Sequence, residues 1–260
     1  PVVMERPLGE LVLFPDQPHA FEAWEIDRAA LTRGRRIMRR TTGRPRRGDG
    51  AASLVFEQSL SAKSSVRIEY RVRAGSPVLE MDCDVEWHEK ETLLKVLFPT
   101  VYNGAQARFG APFGSTLRSQ QPGKPRDEAE WEVAGSRWAL VADDSEQEGL
   151  FVVAEAKYGW SCRSGLLGLS LLRGAKVPTR GVSAGSRSSG GQDSDYSDQG
   201  RHLIRLAVGR FTGATPREEQ PAALAETLFS PLLSVTGQPS RAGFRGLEGG
   251  ASLLPCWARP

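Results

Sequence analysis

The chain has 260 residues, with 34 lysines and arginines against 31 aspartates and glutamates, so its formal charge is only +3. This composition, with 39% hydrophobic residues, excludes disordered, collagen-like and coiled-coil proteins and provides apolar material for a sizeable core. No apolar run reaches the roughly 18 to 20 residues of a membrane-spanning helix, so we expect no membrane segment.

Short alternating runs rich in valine, leucine, phenylalanine and tryptophan recur along the chain, separated by glycine, proline, aspartate and serine. They predict ten strands, near residues 10–14, 54–60, 66–73, 78–87, 93–98, 129–133, 137–142, 150–154, 166–172 and 202–208. One helix is predicted over 216–229, with Pro216 as its first residue. The pattern indicates a mostly β fold, a large antiparallel sandwich formed by residues 1–260 as a single domain.

An arginine-rich segment lies between the first two predicted strands. Its eight arginines, with no acidic residue among them, are Arg33, Arg35, Arg36, Arg39, Arg40, Arg44, Arg46 and Arg47. Such a run can bind a polyanion, because each phosphate contact releases counterions. The absence of interleaved aromatic residues disfavours nucleic acid, and a solvated strand and loop is the alternative.

The predicted strand 78–87 has one apolar face and one acidic face. Residues Met81, Cys83, Val85 and Trp87 share the first face, and Glu80, Asp82, Asp84 and Glu86 share the second. The carboxylates could bind a divalent cation or act as glycosidase acids. The favoured interpretation is a water-facing strand paired with the basic strand 66–73.

Two segments interrupt or extend the predicted sandwich. Residues 179–200 are rich in serine, glycine and aspartate, which indicates a flexible insertion within one domain. Residues 230–260 form a C-terminal extension.

The sequence contains no self-contained catalytic motif. Its histidines, His19, His88 and His202, lack metal-ligand spacing, and GxSxG, Walker and GxGxxG patterns are absent. The cysteines, Cys83, Cys162 and Cys256, are too widely spaced for a CxxC pair and are predicted to be reduced. With no secretory signal near the start, the prediction is a cytoplasmic protein that holds no cofactor or metal in this chain.

Aromatic and polar residues in predicted loops are the remaining candidates for a binding site. Lys157, Tyr158 and Trp160 follow a predicted strand, and Trp24 and Asp27 lie in the N-terminal segment. An aromatic face can stack on a sugar while polar neighbours fix its hydroxyls. The alternative is that both tryptophans fill the core; Trp24 and Asp27 are interpreted as structural.

Several segments, in order, resemble the C-terminal region of glycoside hydrolase family 38, the retaining α-mannosidases. They are FEAWEID at 21–27, VEWHE at 85–89, LKVLFP at 94–99, FGAPFG at 109–114, EV at 132–133, RW at 137–138, KYGWS at 157–161, LSLLR at 169–173 and DQGRH at 198–202. Threonine follows Pro178 where the family has aspartate, so the path toward Asp198 and Arg201 departs from its pattern.

The resemblance implies a β-supersandwich like that of galactose mutarotases, and a chain that is the C-terminal domain of an α-mannosidase. In the family, the aspartate nucleophile and the zinc ligands belong mainly to an upstream barrel, so zinc is expected there and no catalytic residue here. This sandwich would pack against that barrel, with Lys157 contacting a mannose hydroxyl or the catalytic carboxylates and Tyr158 or Trp160 forming the pocket wall. The whole enzyme would be an oligomer.

The sequence is also compatible with two other functions. One is a stand-alone carbohydrate-binding sandwich without hydrolase activity. The other is a polyanion-binding protein that uses the segment from Arg33 to Arg47, whose affinity would fall steeply with salt.

Overall fold

A computed structural model describes residues 7–18, 23–37, 43–48, 50–121, 123–177 and 196–229. Within these residues the chain forms fifteen strands and two short α-helices. The strands are β1 (Glu10–Pro15), β2 (Arg35–Arg36), β3 (Arg44–Gly48), β4 (Ala51–Ser59), β5 (Ser65–Arg73), β6 (Val78–Trp87), β7 (Thr92–Pro99), β8 (Gln106–Ala111), β9 (Gly114–Ser119), β10 (Val133–Ala134), β11 (Trp138–Ala142), β12 (Glu148–Ala154), β13 (Gly159–Arg163), β14 (Leu166–Arg173) and β15 (Gly200–Thr212). The helices are α1 (Pro125–Ala129) and α2 (Pro221–Thr227).

The strands form two antiparallel sheets that enclose one large apolar core. The first sheet has six strands in the order β10-β13-β14-β7-β1-β2, and the second has nine in the order β3-β4-β5-β6-β15-β12-β11-β8-β9. Leu94, Val96 and Phe98 of β7 point into this core together with Val85 and Trp87 of β6. The predicted antiparallel β sandwich is therefore confirmed.

The predicted strand at 129–133 is wrong. The chain there forms α1, followed by a loop and the two-residue strand β10. Pro125 stands at the start of this helix, and Asp127 and Glu128 in its first turn favour its N-terminus. These helix signals outweigh the alternation of Trp131 and Val133.

The helix predicted over 216–229 is divided in two. A 3-10 turn spans Arg217–Glu219, and α2 begins afresh at Pro221, so Pro216 is not its first helical residue. A proline inside a helix lacks the required N–H, which explains the restart. Leu224 and Ala225 then pack against Phe151, away from the main core.

Several strands lack a clear sequence signal, and β8 and β9 are the clearest case. They form a hairpin in which Ala111 pairs with Gly114, and Phe113 at the turn has φ of 64° and is 96% exposed. Their many glycine, serine and arginine residues hide the alternation on which strand prediction depends.

The acidic face of β6 is paired with arginines. Arg71 Nη1 of β5 donates to Glu80 Oε2 and to Asp82 Oδ2, each over 3.1 Å. Arg201 of β15 donates twice to Asp84, over 2.8 Å each, and these bonds lower the pKa of Asp84. The predicted pairing of this acidic strand with the basic strand β5 is confirmed, and in the described part of the chain the row forms no group of three or more side chains that could hold a metal ion.

The arginine-rich segment supplies one edge strand to each sheet. Strand β2 is the edge of the six-stranded sheet, and β3, exposed along its whole length, is the edge of the nine-stranded sheet. Arginine and Pro45 at an edge discourage pairing with another chain. Arg39 and Arg40 lie outside the described residues, and polyanion binding stays a prediction.

Some of the remaining sequence predictions concern residues that the structure describes, and others lie outside them. No helix among them is long and apolar enough to cross a membrane. Cys83 and Cys162 are free and buried, and burial raises the pKa of each thiol to about 12, while Cys256 falls outside the description. The same applies to the extension 230–260 and to residues 179–195 of the insertion.

Candidate functional site

The predicted sugar-binding loop joins β12 to β13. Tyr158 is 55% exposed, and Lys157 is half-buried. Burial lowers the pKa of Lys157, and the negative charge of Asp198 opposes that shift. Two of the three predicted residues are therefore accessible to a ligand.

Trp160 is not accessible, which corrects its assignment as a pocket wall. It is 0% exposed, and its indole Nε1 donates to Gly135 O over 3.0 Å. The loop ends at Gly159, where β13 begins, so alternation turns Trp160 into the core and Ser161 outward.

Trp24 and Asp27 of the N-terminal segment differ in whether they have the structural role predicted for them. The interpretation of Trp24 as a core residue is wrong, because its side chain is 77% exposed. Asp27 does have a structural contact: its carboxylate accepts a hydrogen bond from Ala29 N over 2.9 Å and caps the 3-10 turn Arg28–Thr32.

Tyr158 borders a cavity on the outer face of the six-stranded sheet, which we call the Tyr158 cavity. Its volume is about 440 Å³. Its lining residues are Ile26, Leu93, Glu132, Val133, Ala134, Tyr158, Gly159, Ser170, Leu171, Leu172, Arg173 and Asp198. An aromatic ring, apolar walls and a few polar groups are the usual composition of a small-molecule pocket.

Arg173 is held in place at one side of this cavity. Its Nε donates to Asp16 Oδ2 over 2.5 Å, and its Nη2 donates to Asp16 Oδ1 over 3.0 Å. The same guanidinium donates to the carbonyl oxygens of Ala23 and Glu25. It therefore fixes the segment that brings Ile26 to the cavity.

Asp198 reaches the cavity from the start of β15. It has φ of 57°, and its Oδ2 accepts a hydrogen bond from Arg173 N over 2.8 Å. Asp198 O also lies 2.8 Å from His202 Nε2. These contacts hold an exposed carboxylate near Lys157 and Tyr158.

Glu132 connects the cavity to a buried lysine. Lys95 of β7 is only 2% exposed, and its Nζ donates to Glu132 Oε1 and, over 2.8 Å, to Ser161 Oγ. Ser170 Oγ donates to Glu132 Oε2 over 3.4 Å. Burial lowers the pKa of Lys95 to about 7.

Gly168 provides the space that Lys95 needs. It lies on β14 between Leu97 of β7 and Ser161 of β13. A Cβ atom there would lie 3.1 Å from Lys95 Cε and 2.7 Å from Ser161 Oγ. The missing side chain allows the lysine to cross β14 and reach Ser161.

We expect the substitution Gly168→Ala to lower the free energy of unfolding by about 1 to 3 kcal/mol, because the added methyl group overpacks this crossing. Urea denaturation would measure the loss. Gly114→Ala is the matched control, since a Cβ on that strand residue meets nothing within 4 Å. Equal stability of the two variants would contradict the role given to Gly168.

The sequence carried one unused signal for this site. Lys95 stands within 93–98, where every other residue is apolar. A lysine in a strand that is buried on both faces requires a partner. Glu132 and Asp198 lie in the family-like segments EV and DQGRH, but no hydrophobicity pattern identifies their partners, because their contacts are with segments distant along the chain.

The outer face of this sheet can bind a ligand by stacking and hydrogen bonding. Among the described residues, no group of three or more histidine, cysteine, aspartate or glutamate side chains could hold a metal ion. The zinc implied by the family resemblance is expected in the upstream barrel and not in this chain.

The model of the glycosyl hydrolases family 38 C-terminal domain matches residues 2–180, which is more than half of the chain. The chain belongs to glycosyl hydrolase family 38. It is 30% identical to human alpha-mannosidase 2C1 over 232 residues and 32% identical to the mouse protein of the same name over 237 residues. These alignments cover 87% and 90% of this chain.

The family 38 chain spans about a fifth of the length of these curated relatives, 20% of the human and 21% of the mouse protein. Its fold is similar to the solved structure of an alpha-mannosidase from Enterococcus faecalis V583, with a TM-score of 0.62 at 12% identity. That match covers 81% of this chain and 26% of the solved chain. The similarity supports the assignment of the fold.

Proposed function

We propose that this family 38 domain frames the substrate of a zinc-dependent retaining α-mannosidase. The observation that carries the proposal is the Tyr158 cavity, which joins an exposed aromatic ring to polar groups within a domain of this family. The relatives named as alpha-mannosidases support a mannoside as the substrate. Hydrolysis itself belongs to another domain of the same polypeptide.

In this proposal the domain contributes binding and orientation. The ring of Tyr158 stacks on the C–H face of a mannose unit, while Lys157 and Asp198 hydrogen-bond to its hydroxyls. A carboxylate of the catalytic domain displaces the leaving group at the anomeric carbon, and water then hydrolyses the glycosyl-enzyme with net retention. Zinc would be held by that catalytic domain and would supply a Lewis acid there.

The exposed aromatic residues also support contact with the catalytic domain. Trp24 lies two residues from Ile26, which lines the cavity. Arg173 binds the carbonyl oxygens on both sides of Trp24. The exposed ring of Trp24 beside the cavity would offer an apolar surface on which the catalytic domain packs.

The test uses the full-length protein expressed from its native reading frame. We expect zinc-dependent release of 4-nitrophenol from 4-nitrophenyl α-mannoside, and no turnover by the 260-residue chain alone. Tyr158→Ala is expected to raise KM about tenfold, which corresponds to about 1.4 kcal/mol of lost binding. The control is Leu203→Ser, at a 70% exposed position on the outer face of the other sheet.

Two outcomes would contradict different parts of the proposal. Failure of the full-length protein to cleave α-mannosides, with or without zinc, would remove the enzyme assignment. Active enzyme in which Tyr158→Ala and Leu203→Ser have equal kinetic constants would leave an α-mannosidase but remove the framing role of this cavity.

A further inference from the structure

A second cavity shares Glu132 with the Tyr158 cavity, and we call it the Lys95 cavity. Its volume is about 450 Å³, within the usual range for small-molecule sites. Lys95 and Ser161 reach it from the outer face of the six-stranded sheet, and Leu31 and Thr32 of the 3-10 turn also line it. The segments LKVLFP, EV and KYGWS supply Lys95, Glu132 and Ser161 to this cavity, but the proposed function does not use it.

The polar groups of the Lys95 cavity retain hydrogen-bonding capacity. An ammonium group has three N–H donors, and Lys95 uses two of them, toward Glu132 and Ser161. Ser161 Oγ accepts one of these bonds, and its own O–H donates to no other group in the described part of the chain. Two donors are therefore available beside a carboxylate acceptor.

The rest of the lining is apolar or aromatic. Val12, Phe14 and Leu97 of the sheet face the cavity, and the indole of Trp131 forms part of its wall. The Nε1 of Trp131 donates to Ile26 O over 3.0 Å, which holds the ring in position. An aromatic wall beside polar groups favours a ligand with both C–H and hydroxyl faces.

The charges around the cavity are close to balanced. Four cations line it, and each lies within 4 Å of a carboxylate: Lys95 of Glu132, Arg36 of Glu10, and Arg28 and Arg163 of Glu128. Three carboxylates thus face four cations, so at most one positive charge is uncompensated. This balance favours a neutral ligand over a phosphate or another multiply charged anion.

We propose that the Lys95 cavity binds a small neutral polyhydroxylated ligand, of the pyranose class. Lys95, Glu132 and Ser161 bind its hydroxyls, and Trp131 packs against its C–H face. This is a site additional to the Tyr158 cavity, and it does not require that the parent protein hydrolyse mannosides.

The test records the indole N–H signals of the ¹⁵N-labelled 260-residue chain. Methyl α-mannopyranoside is the probe, and inorganic phosphate is the charged comparison. We expect the Trp131 signal, assigned with Trp131→Phe, to shift with a dissociation constant in the range of about 1 to 10 mM. The buried Trp160 serves as the internal control and should not respond.

Three variants locate the bound ligand. Ser161→Ala should weaken binding about three- to tenfold, because the ligand loses the Ser161 hydroxyl and Lys95 loses one hydrogen-bond acceptor, while the pair between Lys95 and Glu132 stays in place. Leu203→Ser should leave the dissociation constant measured at Trp131 unchanged. Tyr158→Ala should leave it unchanged too, because Tyr158 lines only the neighbouring cavity, where its loss weakens a separate binding event.

Four results would overturn this proposal. None of them bears on the proposed α-mannosidase activity, which the hydrolysis assay tests separately. A Trp131 signal that does not respond at about 50 mM ligand would exclude a millimolar site. Loss of the response in Tyr158→Ala would move the ligand into the Tyr158 cavity. Unchanged affinity in Ser161→Ala, or tighter binding of phosphate, would contradict the hydrogen-bonding scheme or the neutral ligand class.

Discussion

Replacing Glu132 with alanine is expected to lower the free energy of unfolding by about 3 to 5 kcal/mol at pH 6. At that pH the ammonium of Lys95, which is 2% exposed, is charged and would lose its carboxylate partner. A buried charge without a counter-charge retains its desolvation cost and receives no compensating attraction. Guanidinium denaturation followed by tryptophan fluorescence would measure the difference.

The matched control removes both charges together. In the double variant Lys95→Met and Glu132→Leu, no charge is left unpaired, and replacing a buried ion pair by apolar residues is often neutral or stabilising. We therefore expect the double variant to be more stable than Glu132→Ala. A double variant that loses as much stability as Glu132→Ala would show that packing, and not the unpaired lysine, causes the loss.

The same ion pair gives a pH dependence with a definite sign. Burial lowers the pKa of Lys95 from 10.5 to about 7, so between those pH values the unfolded chain binds the proton more strongly than the folded chain. The contribution of this group to stability therefore rises with pH across that window, by at most about 1.4 kcal/mol per pH unit, and is constant below pH 7. Glu132 is the charged partner of the lysine, and the other charged residues lining the same cavity are Arg28, Arg36 and Arg163.

The effect of Glu132→Ala should accordingly be smaller at alkaline pH. At about pH 9 the amine of Lys95 is neutral in the folded chain, and the substitution then removes a hydrogen bond between a neutral amine and a carboxylate, worth about 1 to 3 kcal/mol. Denaturation curves at the two pH values would measure the change. An equal loss at both would contradict a pKa near 7 for this lysine.

Local patterns were sufficient to predict the sandwich, because its central strands have one buried face. In β6, alternation separates Cys83 and Val85 from Asp82 and Asp84, and the observed strand has the predicted bounds. The basic neighbour β5 follows from the same pattern, since opposite charges face each other across the pair. Edge strands such as β9, exposed through most of its length, lack this signal.

The candidate site was less predictable, because it depends on contacts between distant segments. Tyr158 and Lys157 could be selected as accessible residues from their chemistry. No strand was predicted over 159–163, so Trp160 was assigned to a loop, whereas it lies on the buried face of β13. The partners of the buried lysine lie 37 and 66 residues away, at Glu132 and Ser161. Only the register of β7, β14 and β13 brings them together.

Replacing Arg173 with methionine is expected to lower the free energy of unfolding by about 3 to 5 kcal/mol. The side chain of its partner Asp16 is 1% exposed, so the substitution leaves a buried carboxylate without its bidentate cation. It also removes the donors to Ala23 O and Glu25 O, which fix the segment beside the Tyr158 cavity. Denaturation would measure the first effect, and limited proteolysis near Trp24 the second.

Two further variants distinguish the effect of losing the buried ion pair between Arg173 and Asp16 from the effect of losing an arginine on any strand. Arg210→Met removes a cation whose partner, Glu148, is half exposed, and we expect a loss of at most about 1 kcal/mol. Arg173→Lys keeps the charge but not the planar fork that binds both oxygens of Asp16, so it should be intermediate in stability and remain sensitive to proteolysis. If Arg173→Met were no less stable than Arg210→Met, the buried pair would not be what holds the N-terminal segment against the sheet.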